Sequence, residues 1–503
     1  MATITTANGS LTNPNIILFI SDQTRHPQHW PDGWVAQHLP VWQRLMNNGL
    51  TFTNCFTAAS ECCPARASFL TSTYPEENGV EVTISSLSPK FKNLANVLAS
   101  ATNPKYSMLW KGKWHLSTSV NGDYNWGKND IEALAKKYGM DRWNPPDAGI
   151  FLGPGPTLGG GTPNNDGRFV NGVTSPSQTQ GFGESVVDFI HHRAASFGQF
   201  CLAVSLVNPH DVFLVPGDPT TSGYPADATA DIGIRLPENY ADDLSKKPSV
   251  QAQFQAAFDA TYPLTTDEER LQYVNFYAYL TTLTDQLFGD VMCALDKAGL
   301  TQNTIIIRMA DHGEMGLSHG LREKMYNAYE ETIRMPFVVS NPTLWPTAQT
   351  TDAMATTLDL VPTLAAMTGA TDISGLRGKS LLPVIEGTQK SVQDSVVYTF
   401  DDQFDLGTSV SGHIRCLRTH RWKYAVYFTE STSAGNFEYE LYDLASDPGE
   451  LTNLLYGTPT PASIAEWQKL HPKLTHKLEK LHAKPKGVDW PKEPWNPSAT
   501  PAS

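Results

Sequence analysis

Two stretches of this chain are apolar almost throughout, without alternation, and end abruptly in acid. Ile16-Ile17-Leu18-Phe19-Ile20, opened by Asn15, stops at Ser21-Asp22-Gln23, and far downstream Thr304-Ile305-Ile306-Ile307-Arg308-Met309-Ala310 runs into Asp311-His312-Gly313-Glu314. A strand with one wet face alternates apolar and polar residues; a strand buried on both faces, as in a parallel sheet covered by helices, does not. Ligand sites in open α/β sheets lie beyond the carboxyl ends of the strands, so the two acidic ends are expected side by side in space.

Other segments support that architecture. Phe200-Cys201-Leu202-Ala203-Val204-Ser205-Leu206-Val207 is a third strand-like run, and residues 271–297 carry apolar side chains at helical spacing with Gly299 as a stop signal. The alternation predicts an α/β fold, a large mixed, mostly parallel sheet sandwiched by helices. Beyond Leu382-Pro383-Val384-Ile385 come short alternating runs, 396–399, 414–419, 423–428 and 439–444, which predict a smaller antiparallel sheet, followed by a helix near 464–482. The expected division is an N-terminal extension (1–14), a main α/β domain (15–388), a C-terminal α+β subdomain (389–485) and a Pro-rich tail (486–503) that wraps the surface. Residues 152–168 are rich in Gly and Pro but lack the strand, Gly-Lys-Ser/Thr and helix order of a phosphate loop, so a surface loop is expected.

With 503 residues the chain exceeds one small core, and 40% apolar residues suit a globular protein. An excess of 51 acidic over 37 basic residues argues against a nucleic-acid partner. No apolar run reaches membrane-spanning length, and the Ser/Thr/Asn-rich start does not read as a leader, so the expectation is a protein without a membrane partner, cytoplasmic unless a leader has been removed. Six cysteines, Cys55, Cys62, Cys63, Cys201, Cys293 and Cys416, are too sparse for a disulfide scaffold; five read as buried small residues or ordinary free thiols. A homo-oligomer is left open.

Asp22, Gln23, Asp311 and His312 would form an oxygen-rich site with one imidazole, suited to Ca²⁺, Mg²⁺ or Mn²⁺; the alternative is that the acids cap helices. Cys62-Cys63-Pro64-Ala65-Arg66 sets a sulfur nucleophile near a guanidinium that would favour its anion. Its alternative is a buried thiol pair with a solvated Arg66. His26, His29 and Trp30, just after the first acidic end, are candidates for the mouth of a substrate pocket, and the loops 121–147 and 217–259 for its specificity.

In residue types, order and spacing the chain resembles the sulfatase family of the alkaline phosphatase superfamily. Cys62-Cys63-Pro64-Ala65-Arg66 with Ala67-Ser68-Phe69-Leu70-Thr71-Ser72 is similar to the sulfatase signature. The signature cysteine there is oxidised to formylglycine by a maturation enzyme. Position 62 fits it, because counting from Cys63 puts Ala65 where Pro is required and Ala67 where Arg is required. Trp110-Lys111-Gly112-Lys113-Trp114-His115, Asn208-Pro209-His210, Lys324 with Tyr329 through Pro336, and Glu440-Leu441-Tyr442-Asp443-Leu444 with Asp447-Pro448 resemble the remaining landmarks.

The resemblance implies a hydrolase of a small-molecule sulfate monoester that needs a formylglycine-generating enzyme for maturation and one divalent cation, Ca²⁺ first with Mn²⁺ or Mg²⁺ as alternatives. Asp22, Gln23, Asp311, His312 and the group made from Cys62 would ligate the cation. The hydrated aldehyde at 62 would attack sulfur, with Arg66 lowering its pKa; Lys113, His210 and Lys324 would hold sulfate, Lys324 or His210 would protonate the leaving oxygen, and His115 would act as base in the second half. Many arylsulfatases carry Asp-Asp and Asp-Asn where this chain has Asp22-Gln23 and Asp311-His312, pairs more like those of choline sulfatases and phosphonate monoester hydrolases. A phosphonate monoester or phosphodiester hydrolase is therefore the second reading, and a silent homologue that never oxidises Cys62 the third.

Overall fold

The structure is a computed structural model that describes residues 2–123, 126–149, 166–172, 183–401, 412–429 and 437–491. The predicted 152–168 loop and the Pro-rich tail lie largely outside the described residues.

A small hairpin, β1 (Thr3–Thr5) and β2 (Ser10–Thr12), precedes the main sheet. That sheet contains β3 (Asn15–Asp22), β4 (Gly49–Phe56), β5 (Tyr106–Gly112), β6 (Gln199–Pro209), β7 (Thr304–Ala310), β8 (Phe337–Ser340) and β9 (Gln349–Thr356), in the order β5-β6-β3-β7-β8-β4-β9. Only β8 runs antiparallel to its neighbours. The expected mixed, mostly parallel sheet is thus present.

The unbroken apolar run of β3 is explained by its two faces. Ile16, Leu18 and Ile20 belong to one core with Phe69, Leu70 and Val97, whereas Ile17 and Phe19 belong to the other with Phe276, Phe288 and Leu295. Each fully buried side chain of this kind contributes about 1.5–3 kcal/mol. Helices therefore cover both faces, and the second is closed mainly by the long helix Asp267–Lys297. That helix begins four residues ahead of the predicted 271 because Thr266 and Glu269 form a capping box: the Thr266 hydroxyl accepts from the Glu269 N–H, and the Glu269 carboxylate accepts from the Thr266 N–H. Apolar spacing locates the buried face but is blind to a polar first turn.

The predicted antiparallel sheet is also present, as β10 (Ser395–Phe400), β11 (His413–Thr419), β12 (Trp422–Phe428) and β13 (Glu438–Asp443). One face packs on the helix Pro461–Lys480 through Trp467, Leu470 and Leu474; the other packs on Tyr326, Tyr329 and Phe254 of the main body.

Candidate active site

Register brings the candidate residues together. β3 and β7 are parallel, with Ser21 opposite Ala310, so Asp22 and Asp311 emerge side by side; sliding β3 by one residue would separate them by about 3.3 Å. On the other flank Asp22 lies opposite Pro209 of β6, which delivers His210, and Gly112 of β5 lies opposite Ser205, which delivers Lys113 to His115. Four adjacent parallel strands thus end at one place.

Cys62 opens the helix Cys62–Thr71, all ten residues of which are buried. Its position at a helix N-terminus favours negative charge, and Pro64 sits in the first turn, where a missing N–H is harmless. Arg66 follows one turn later on the same face. Rather than being solvated, it is fully buried: Nη2 lies 2.9 Å from Asp311 Oδ2 and 3.4 Å from Asp22 Oδ2, and Nη1 donates to Lys113 O (3.0 Å) and Ser205 Oγ (2.9 Å).

Asp22, Cys62, Asp311 and His312 each offer one ligand atom, all within 4.8 Å of one another and all buried. Cys62 Sγ is 3.6 Å from Asp22 Oδ1 and 3.4 Å from His312 Nε2. His312 Nδ1 lies 3.1 Å from Gly313 O, and since a carbonyl only accepts, that nitrogen is the donor and Nε2 is the one turned to the carboxylates. Two carboxylates and an imidazole packed this closely away from water fit a hard or borderline divalent cation.

Lys113 Nζ pairs directly with Asp22 Oδ2. Burial works against ionising Asp22, but Lys113 foremost among its cationic neighbours holds the carboxyl well below its usual range. The Cys62 thiol goes the other way: burial first, then the Asp22 carboxylate, pushes it up to about 12 against the pull of Lys113 and Lys324. The anionic sulfur expected from the nearness of Arg66 is therefore not favoured, because Arg66 is engaged by Asp311 and Asp22 and the site is dry.

Gln23 adjoins this group through its backbone, its N–H donating to Asp311 Oδ1 (3.0 Å), while its side chain turns to the late lysine. Lys324 Nζ donates to Gln23 Oε1 (2.7 Å) and Glu323 Oε2 (3.0 Å) and lies 3.8 Å from Glu61; Gln23 Nε2 donates to Glu314 (2.5 Å) and Glu323 (3.2 Å). Burial opposes the Lys324 charge, but Glu323 and Glu61 outweigh it and raise the ammonium well above its usual pKa. His115 and His210 are both depressed, by burial first and then by Lys113, so both are neutral. The mouth candidates divide: His29 pairs with Glu331 (2.5 Å) and, with Trp30, Arg235 and Asn239, lines an open groove of about 720 Å³, whereas the His26 N–H is tied to Arg334 O.

Glu61 and Glu323 escaped the sequence reading, and Glu314 and Ser205 were named in their runs without a role. Each stands beside a motif residue or within a strand, where only the contact reveals a role. Asp147 and Asp166, which anchor the His115 and His210 turns, carried no local signal at all.

A protein-family model described as Sulfatase matches residues 14–370, and one described as N-sulphoglucosamine sulphohydrolase, C-terminal, matches residues 317–484. Among curated proteins, the chain is 25% identical over 488 residues to an ulvan-active sulfatase of Formosa agariphila, covering 95% of this chain and 84% of that one. It is 24% identical over 529 residues to an N-acetylglucosamine-6-O-sulfatase of Bacteroides thetaiotaomicron, covering 95% and 87%. Among solved structures, a phosphonate monoester hydrolase of Silicibacter pomeroyi shares the fold with a TM-score of 0.66 at 20% identity, covering 95% of this chain and 97% of that one.

Proposed function

This chain belongs to the sulfatase family, and from that premise we propose that it hydrolyses a sulfate monoester to an alcohol and inorganic sulfate, with a formylglycine made from Cys62 and one divalent cation. The observation that carries the reading is the convergence of Arg66, Lys113 and Lys324 with the buried Asp22, Asp311 and His312 around position 62.

Asp22, Asp311, His312 and the group at position 62 would hold the cation, Ca²⁺ or alternatively Mn²⁺ or Mg²⁺, with Gln23 adjoining them. When bound, such a cation supplies Lewis-acid charge at a reacting oxygen. The formylglycine hydrate supplies an oxygen nucleophile in place of a buried thiol. Arg66 keeps the helix N-terminus and the Asp22–Asp311 pair in one place and presents positive charge to the anion. Lys113 and Lys324 bind sulfate oxygens, and charge developing there is stabilised by groups already oriented in a dry site.

Two candidates could protonate the leaving oxygen, Lys324 and His210. Lys324 is held in its charged form by Glu323 and Glu61, which suits electrostatic stabilisation and makes it a reluctant acid. His210, beside Lys113, is depressed by burial and by that lysine and would have to take up a proton before it could donate one. His115 is kept neutral by burial and by Lys113, as a base must be.

The test uses the full chain produced with a formylglycine-generating enzyme. Initial rates on an aryl sulfate and an aryl phosphonate monoester are compared, with mass analysis of the peptide containing position 62. Faster sulfate turnover, an aldehyde at 62, and loss of rate on chelation with recovery on cation return are expected. Preference for the phosphonate overturns the substrate class in favour of the second reading, and a persistent thiol under competent maturation overturns the mechanism.

A further inference from the structure

Neither His115 nor His210 has a hydrogen-bond partner at its buried Nδ1 among the described residues. A working imidazole is normally aimed by the bond its other nitrogen makes. Here the aim must come from the backbone turn that carries each ring, and each turn ends on a buried carboxylate. Asp147 accepts the N–H groups of Trp114 (2.8 Å), His115 (2.7 Å) and Ala148 (2.9 Å), holding His115 at a left-handed φ of 59°. Asp166 accepts those of Val207 (2.8 Å) and Asn208 (2.9 Å), the last two residues before Pro209-His210. Past His210 the same turn is held by Tyr224, whose hydroxyl donates to Asp211 and accepts from Asn208 Nδ2 (3.1 Å).

The two anchors are joined. Arg168, two residues after Asp166 and buried with it, donates to the carbonyls of Asn144 (3.2 Å), Pro145 (3.2 Å) and Pro146 (2.5 Å), the segment that leads into Asp147, and the charges of both aspartates act on it. We infer that Asp147 and Asp166, bridged by Arg168, are positioning residues that aim His115 and His210 at the sulfate ester. This rests on the function proposed above, in which both histidines act on substrate.

An asparagine at either position keeps the shape but has a single acceptor oxygen, so at least one backbone N–H loses its partner and the turn relaxes. The test is a pair of double-mutant cycles in the matured, cation-loaded enzyme, D166N with H210A and D147N with H115A. Formylglycine content, cation content and Tm are followed in every variant. Expected is a fall in kcat/KM of roughly 10- to 100-fold for each Asp→Asn variant in the parent enzyme, since a misplacement near 1 Å has that effect, and almost none once the matching histidine is gone. An equal loss in both backgrounds, or no loss in the parent while H210A and H115A are impaired, overturns the inference. Unimpaired H210A and H115A overturn the histidine roles themselves, and this inference with them. Should D166N fail to fold, Y224F loosens the other side of the His210 turn and is expected to show the same coupling to H210A.

Discussion

Arg66→Met should separate the electrostatic role of Arg66 from any role in holding the cation. Without a cation, the buried centre has two carboxylates, Asp22 and Asp311, and two cations, Arg66 and Lys113, within direct ion-pair contact. Methionine fills similar volume but removes the charge that balances Asp311 and two further hydrogen bonds, to Lys113 O and Ser205 Oγ. Breaking a buried pair by deleting one partner costs about 3–5 kcal/mol, because the remaining charge is left in a dry site. With an unfolding entropy of roughly 2 cal/mol/K per residue, a chain of 503 residues converts that into a fall in Tm of about 3–5 °C. The sign reverses for cation binding: the variant centre is more negative by one charge, so added cation should restore more of the lost stability in R66M than it adds to the parent. The assay is thermal unfolding of chelator-treated protein with and without Ca²⁺ or Mn²⁺, alongside sulfatase rates, which should fall by at least about 100-fold with the loss of an anion-binding group. An unchanged Tm in chelator, or a smaller cation response in the variant than in the parent, would refute the charge balance described here.

Three further outcomes are expected. Cys62→Ala should abolish turnover while Cys63→Ala keeps the aldehyde at 62, read by peptide mass, because the Cys63 thiol donates to His115 O (2.9 Å) and is not one of the four grouped ligand residues; loss of the aldehyde in C63A would move the modification site. Gly149→Ala should cost about 1–2 kcal/mol and lower activity several-fold, since φ there is +72° and an added Cβ would lie 2.8 Å from Lys113 Nζ; a silent substitution would show that Lys113 has room to move. Burial and then Arg334 depress His26 to about 3, so between roughly pH 6.5 and 3 the unfolded chain binds the extra proton and stability falls as pH falls. His26→Gln should flatten that acid limb in urea unfolding, and an unchanged slope would exclude His26 as its source.

Much of this molecule is legible in its residues taken in order. The apolar runs of β3 and β7 declare a sheet buried on both faces, the alternating runs after 388 declare a second, antiparallel sheet, and the resemblance of Cys62, Pro64 and Arg66 to the sulfatase signature singles out one of two adjacent cysteines. The first two are local periodicities and the third a local motif, and such features are written along the chain. What only the tertiary structure decided are relations between segments far apart in sequence. Parallel register sets Asp22 beside Asp311 and aligns Lys113, His210 and His312 at the same edge. Dryness, a property of the whole fold, turns Arg66 from a presumed activator of a thiolate into the partner of two carboxylates and leaves the Cys62 thiol neutral. Gln23, adjacent in sequence to Asp22, has its side chain drawn to Lys324 by Glu314 and Glu323, because a buried ammonium and buried carboxylates must be satisfied together. Asp147 and Asp166 are isolated acids in sequence and acquire meaning only where folding closes two histidine turns upon them, since a carboxylate can accept several N–H groups from segments that nothing in the linear order connects.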